Sequence, residues 1–404
     1  GRNLDVPQPP RAILNEMPIG RLPPVPVVDS GLPQPNSAPV VVGDLERQPL
    51  AGQFTFFRNR DHRPPGITSL NPGEPSTAAS RDTYFATGNT YGALSIDSGT
   101  TWSHVNPFTL FPAVDGGVCC DQRVLADPGS DLVLWYIQYR FSATTNAGGF
   151  RLAYSRSRDQ LRASTWSSVY FNATSFGLPG NFLDFPDIAV SGDHVYITTN
   201  VFSGSSVYQN SLVIRIAISN LVAGGSISAA FYRRTGGSGP MGGGASYRFT
   251  QTYNGAPSSA MYWASHNSTS SLRIFRWDDG STARASDVDR TIPAWTSGAG
   301  NSTGPDGRNW IGGDDHRIAS GYINPVFNEG AFLWSSNSNG GSRPQSYVRV
   351  QVFTPADRSI LATEDVWNGT FDFAYPAVGM NSLGHAGVVF SAGSATVHLT
   401  TFAM

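Results

Sequence analysis

Along most of the chain, apolar and polar residues alternate with a period of two, the pattern of strands that bury one face more than the other. From residue 70 onward the alternating runs fall into successive groups of short strands, each group about 50 to 65 residues long. Innermost strands are predicted over 75–80, 121–126, 186–191, 247–253, 316–322 and 376–381. Each is followed by a strand richer in aromatic and aliphatic residues, over 84–87, 132–139, 194–199, 260–265, 330–335 and 386–391. Third strands follow over 92–96, 150–155, 212–218, 272–277, 347–353 and 396–402. This rhythm predicts an all-β fold, a six-bladed β-propeller of four-stranded blades.

The sixth group reaches Met404 after three strands, which leaves its outer edge with unpaired backbone groups. A strand from the N-terminal side, over 53–58, is expected to supply the fourth and close the ring in the Velcro manner of propellers. The predicted division is therefore a segment over 1–48 and a propeller over 49–404. Residues 1–48 hold ten prolines and one short apolar run, 40–42, too little to make a core. Two readings of this segment stand: a flexible linker, or an extended exchange arm whose run 38–42 adds a strand to a neighbouring molecule.

Composition narrows the chemistry. With 404 residues and 40% apolar content, the chain has enough material for a large core. Only 14% of residues are charged and the net charge is −2, so no basic excess is available to hold DNA or RNA, and nucleic acid is not an expected partner. All 27 basic residues are Arg, which removes P-loop nucleotide binding and lysine Schiff-base chemistry. No run of eighteen apolar residues is present, so no membrane-spanning helix is expected. The abundance of Gly, Ser and Thr, together with a first residue Gly1 rather than Met, reads as a processed, secreted extracellular or cell-surface protein. Sequons at Asn172, Asn267, Asn301 and Asn368 are candidate glycan acceptors in a secretory pathway. No cofactor is expected, with a structural calcium ion the one exception allowed for.

One turn carries a family likeness. Ser95-Ile96-Asp97-Ser98-Gly99-Thr100-Thr101-Trp102 lies between two strand-like runs and resembles the Asp-box, or BNR repeat, of secreted sialidase-like β-propellers. In that motif Ser95 and Asp97 fold back on local N–H groups, Gly99 takes a positive φ, and Trp102 packs between sheets. Asn309-Trp310-Ile311-Gly312-Gly313-Asp314-Asp315-His316-Arg317 resembles the W-x-G-D blade entrance of the same family, with an extra Gly and a more charged end. Glu74-Pro75-Ser76 and Phe185-Pro186-Asp187 resemble its inner-strand openings.

In a propeller the inner-strand entrances face a common axial funnel, so functional groups are sought there. Those positions hold Glu74, Asp121, Arg123, Asp187, Arg248, Asp315, His316, Arg317 and Tyr375. Arginine provides planar recognition of anions, and carboxylates bind hydroxyls or transfer protons. The likeness to sialidases implies Arg123, Arg248 and Arg317 as a triad for a substrate carboxylate, Tyr375 as nucleophile and Glu74 as its partner. The family's first-arginine opening is absent here. Asp121 is a further candidate for proton transfer, and His316 is a candidate base for elimination from a uronic acid.

Two functions remain open. One is a propeller that recognises and cleaves, by hydrolysis or elimination, an acidic glycan or polysaccharide in its funnel. The other is a non-catalytic extracellular assembly subunit, in a filament or surface layer, coupled to other copies of itself through residues 1–48.

Cys119 and Cys120 are the only two cysteines. An even count in an oxidising compartment points to pairing. Neighbouring Cα atoms lie about 3.8 Å apart, below the usual disulfide range, so a vicinal bridge is a strained ring of the kind tolerated beside a site. Thiol titration of the unfolded chain is expected to find no free thiol before reduction and both after it; two free thiols in unreduced protein would rule the bridge out.

Overall fold

The computed structural model describes residues 74–127, 129–233, 246–252, 258–298, 300–312, 316–381 and 383–404. These form six antiparallel sheets, each a meander in chain order. The first is β1 (Ser76–Ser80), β2 (Thr83–Gly88), β3 (Tyr91–Ser95) and β4 (Ser103–Val105). The second is β5 (Val118–Asp127), β6 (Leu132–Tyr139), β7 (Gly149–Ser155) and β8 (Ser167–Asn172). The third is β9 (Asn181–Val190), β10 (His194–Ser203), β11 (Tyr208–Ala217) and β12 (Ala229–Arg233). The fourth is β13 (Arg248–Phe249), β14 (Ala260–Ser268), β15 (Ser271–Asp278) and β16 (Ser286–Thr291). The fifth is β17 (Ile318–Asn324), β18 (Glu329–Ser336), β19 (Tyr347–Phe353) and β20 (Ile360–Val366). The sixth has β21 (Asp372–Met380), β22 (Ala386–Ser394) and β23 (Val397–Ala403).

The architecture is the six-bladed β-propeller that the alternation predicts. Successive inner strands adjoin: β1 lies against β5, β5 against β9, β9 against β13, β13 against β17 and β17 against β21. The sixth sheet has three strands among the described residues; the expected closing strand over 53–58 and the segment over 1–48 lie outside them. Four inner strands differ most from expectation, and two of them, β5 and β21, start at Val118 and Asp372, ahead of the predicted 121 and 376. β9 starts at Asn181, ahead of the predicted 186, because a bulge lets pairing continue past Pro186. β13 is reduced to Arg248–Phe249, and single bonds extend it, from Thr250 N to Tyr262 O at 2.9 Å and from Gln251 N to Gly321 O at 2.9 Å.

The core lies between blades rather than along the axis. Every second strand puts a buried aromatic ring into it: Phe85, Trp135, Tyr196, Trp263, Trp334 and Phe390. Some of these rings meet partners on the next sheet, as Phe85 meets Trp135 edge-on at 4.8 Å and Tyr196 meets Phe249 at 6.1 Å. Each fully buried large side chain of this kind contributes roughly 1.5–3 kcal/mol.

Polar stitches join neighbouring sheets inside this packing. Ser76 Oγ accepts from Val124 N at 3.0 Å, Gln138 Nε2 donates to Asp184 Oδ1 at 2.8 Å, and Gln251 Nε2 donates to Ile188 O at 2.9 Å. Ser320 Oγ accepts from Val378 N at 3.1 Å.

The turn after β3 is built by its own side chains. Asp97 Oδ1 accepts from Thr100 N at 3.0 Å and Thr101 N at 2.9 Å, and Ser95 Oγ accepts from Gly99 N at 2.8 Å. Gly99 sits at φ 81 and Ser98 at φ 59. Bonds to Thr101, backbone first, then to Ser95, hold the Asp97 carboxyl down to about 2, and Trp102 is partly buried beside the turn.

Close pairing of β7 and β8 depends on Gly149. A Cβ there would lie 2.1 Å from Phe171 O and 2.5 Å from Asn172 Cα, both backbone atoms. Gly149→Ala is expected to destabilise the fold by about 1–3 kcal/mol, the cost of overpacking, read as a lower midpoint in chemical denaturation; an unchanged midpoint would show that the two strands separate freely here.

Candidate functional site

Four of the six inner strands carry a left-handed residue, just before the strand in β1 and β17 and within it in β9 and β21. Glu74, Phe185, His316 and Tyr375 have φ of 40, 58, 56 and 55, left-handed conformations that cost a side chain on the order of 1–3 kcal/mol. Pairing shifts between Val118 and Gln122 in β5, at Phe185 and Pro186 in β9, and at Tyr375 and Pro376 in β21. Such bulges re-aim side chains. The residues expected at the funnel are clustered at these kinks.

In β5 the bulge holds Cys119, Cys120 and Asp121. The two cysteines form a vicinal disulfide with Cα atoms 3.7 Å apart. Cys119 is buried and Cys120 partly accessible. Asp121 follows directly, and its carboxyl hydrogen-bonds Glu74 from the first blade. Asp121 keeps some accessible surface, yet enough protein surrounds the carboxyl that desolvation drives it well above the usual carboxylate range. The charges of Glu74 and Asp184 push the same way, and Arg123 pulls weakly against them. Glu74 Oε2 also accepts from Asn89 Nδ2 at 3.2 Å.

Asp184, on β9, is the third carboxylate of this cluster and was not expected from the sequence. It is buried and accepts from Gln138 Nε2 at 2.8 Å and Phe185 N at 2.7 Å. Burial raises it, these bonds oppose the rise, and Arg317 lowers it from the fifth blade. Buried Tyr136 lies near both Asp184 and Asp121; its hydroxyl is raised well above its ordinary value, chiefly by burial.

Arg248 and Arg317 each pack against the Phe185 ring. Arg317 Cζ is 3.6 Å from the Phe185 centroid and Arg248 Cζ is 4.8 Å from it. Arg248 Nη1 donates to Pro186 O at 3.2 Å and lies 3.6 Å from Asp187 Oδ1, while Asp187 Oδ2 accepts from Phe249 N at 3.0 Å. Asp187 therefore orients Arg248. Arg317 Nη1 donates to Ser246 Oγ at 2.9 Å, which Asn200 Nδ2 also contacts at 2.7 Å.

His316 is 2% exposed and its Nδ1 lies 2.9 Å from Ser335 O, with Nε2 against Gly298 O. It braces the blade entrance from within. Tyr375 is 41% exposed, and its backbone N donates to Ser335 Oγ at 3.0 Å. Asp315 lies outside the described residues. No group of three His, Cys, Asp or Glu among the described residues is placed to hold a metal ion. The sequons also differ in access: Asn301 is exposed, Asn368 is buried and accepts from Thr370 N, and Asn172 caps the turn Ala173–Phe176 while donating to Asp115. Asn267 is partly buried and faces Asp289 at 3.4 Å.

These features define a six-bladed β-propeller whose kinked inner strands gather carboxylates and arginines from several blades. No protein-family model and no curated protein matches the sequence. Solved structures with a similar fold include the NanB sialidase from Streptococcus pneumoniae, at 10% identity and TM-score 0.42 over 81% of this chain and 66% of that one. This chain thus spans just under two thirds of that sialidase. An α-L-arabinanase from Penicillium chrysogenum has 11% identity and TM-score 0.41 over 83% of this chain and 94% of that one. An intramolecular trans-sialidase from Ruminococcus gnavus has 12% identity and TM-score 0.41 over 80% and 90%. The likeness is one of fold alone, and no residue's role is carried across from these proteins. Among the described residues, no helix is long and apolar enough to cross a membrane.

The raised Asp121 carboxyl makes a prediction with a definite sign. Its folded value exceeds the ordinary 3.8, so its contribution to stability is fully present below about pH 4 and is lost as pH rises through the folded value. Asp121→Asn is expected to gain stability relative to the native chain as pH rises from about 4 towards that folded value, measured by urea denaturation across a pH series; parallel curves for the two proteins would refute the shift.

Proposed function

We propose that the axial funnel binds an acidic saccharide and cleaves its glycosidic bond. The observation that carries this reading is the hydrogen-bonded pair Asp121–Glu74, with its raised Asp121 carboxyl, in a cluster with Asp184 on which Arg123 and Arg317 act through their charges. A carboxylic acid that holds its proton more tightly than an ordinary carboxyl is suited to general acid catalysis. In the proposed reaction the proton passes from Asp121 to the departing glycosidic oxygen as its bond to the anomeric carbon breaks. Glu74 accepts the hydrogen bond from Asp121 beforehand. Tyr375, exposed at the entrance of the last blade, is the proposed nucleophile: its oxygen bonds the anomeric carbon as the leaving oxygen departs, and its phenolic proton passes to Glu74. Water then attacks the anomeric carbon and gives a proton to Asp121, while the Tyr375 oxygen leaves and recovers its proton from Glu74. Arg317 and Arg248 bind the acidic group, with Arg123 beside Asp121. The formed vicinal disulfide favours an oxidising, extracellular setting for this chemistry.

A second reading is a non-catalytic subunit joined to its neighbours through residues 1–48, a Pro-rich segment with too little apolar content to form a core of its own. Loss of self-association on removing residues 1–48 would support it.

Two substitutions separate recognition from chemistry. Arg317→Ala is expected to weaken binding of carboxylate-bearing oligosaccharides by about 1.5–3 kcal/mol, the worth of a charge-assisted hydrogen bond, on a glycan array or by calorimetry. Asp121→Asn is expected to retain binding while cleavage of the bound oligosaccharide falls by about 10²–10⁴-fold. A native chain that binds no acidic glycan, or an Asp121→Asn variant that cleaves at the native rate, would overturn the proposal.

A further inference from the structure

Ser335 is a polar residue on an otherwise apolar face. Alternate residues of a strand share one side of its sheet, and on β18 the side that bears Ala331 and Leu333 lies in one buried cluster with Phe373 and Phe390 of the sixth blade. Ser335 is the next residue on that side and is 2% exposed. A hydroxyl in such a place packs less well than an apolar side chain and is accounted for by a hydrogen bond. Its partner is the backbone of Tyr375, whose N–H donates to Ser335 Oγ at 3.0 Å.

That N–H belongs to a residue with no aligned place in the ladder. Pairing of β21 with β22 runs from Ala374 with Ser391 to Ala377 with Val389, and skips Tyr375 and Pro376. Pro376 has no N–H, and the backbone of Tyr375 is left-handed at φ 55, so the strand's own pattern does not hold this stretch. The fifth blade holds it instead. Ser335 takes the N–H before Pro376, and Ser320 Oγ accepts from Val378 N beyond it at 3.1 Å. Ser335 is itself fixed, with its carbonyl oxygen 2.9 Å from His316 Nδ1 at the entrance of β17.

We infer that Ser335 is a positioning residue for Tyr375: its hydroxyl fixes the kink at which Tyr375 leaves the alternation of β21 and reaches solvent at the blade entrance. This inference rests on the reading of Tyr375 as the nucleophile of acidic-glycan cleavage, and the experiment separates the two.

The full-length chain is compared with Ser335→Ala and with a form in which the Tyr375 N–H is replaced by an ester oxygen, which removes the donor and keeps every side chain. In the native chain and in Ser335→Ala, fluorotyrosine at position 375 reports the surroundings of the ring by its fluorine resonance, without any ligand. Cleavage is measured with the umbelliferyl glycosides of N-acetylneuraminic acid and glucuronic acid. The fluorine resonance is expected to move or split in Ser335→Ala. The kcat is expected to fall about 10²-fold in Ser335→Ala and in the ester form, the effect of a misplaced reacting group, with KM within about threefold of native. A serine that only supported the fold would lower the folded fraction and leave the kcat per folded molecule unchanged. If Ser335→Ala does not fold, the ester form decides the matter. A native kcat in the ester form, or a fluorine resonance indifferent to Ser335, overturns the inference. A native chain that cleaves neither glycoside, or a Tyr375→Phe variant that cleaves them at the native rate, overturns the reading of Tyr375 as nucleophile instead, and the fluorine resonance still decides whether Ser335 holds it.

Discussion

Burial of the aromatic layers between blades is the interaction on which the rest of the molecule depends. A single sheet has two faces to cover, and here each covers them against its neighbours, with Trp135, Trp263 and Trp334 completely enclosed. The hydrophobic contribution of these layers is large enough to tolerate departures from ideal strand geometry near the axis. It also fixes the angle between successive sheets, and so where each inner strand can point its first side chains.

The left-handed residues and bulges at the inner-strand entrances are those departures. They cluster where the carboxylates of Glu74, Asp121 and Asp184 come together with the guanidinium groups of Arg123, Arg248 and Arg317. Charges of both signs are held at short range in partly dry surroundings, which strengthens their mutual influence. Packing at the blade interfaces and irregularity at the axis are two sides of one design, since a regular inner strand would turn alternate side chains back into the layers.

The repeating alternation made the six sheets legible from the sequence, including the three-strand final group, because strand periodicity is a local property of the chain. The Ser95–Asp97–Gly99 turn and the adjacent cysteines were equally readable, since their bonds lie within a few residues. Asp184, Gln138 and Phe185 were harder. Asp184 and Phe185 precede or interrupt the predicted strand, and a bulge reverses the faces that simple alternation assigns. Gln138 looks like an ordinary polar position on a buried strand until the third blade places Asp184 against it. Asp187 stood out in sequence as a ligand candidate, yet its carboxylate is engaged by Arg248 and the Phe249 N–H, a partnership that spans two blades.

The polar stitches described between blades also bear on how the chain reaches its native state. Within each sheet the strands follow one another directly, so hairpins close over short loops at small entropic cost. The stitches join residues much farther apart, 46 for Gln138 with Asp184, 48 for Ser76 with Val124, 58 for Ser320 with Val378 and 62 for Asp187 with Phe249. Topology of this kind favours early local meanders and late long-range closure. The funnel, assembled from groups on separate meanders, is then among the last regions to acquire its geometry, and a chain halted partway has well-formed sheets around an unfinished axis.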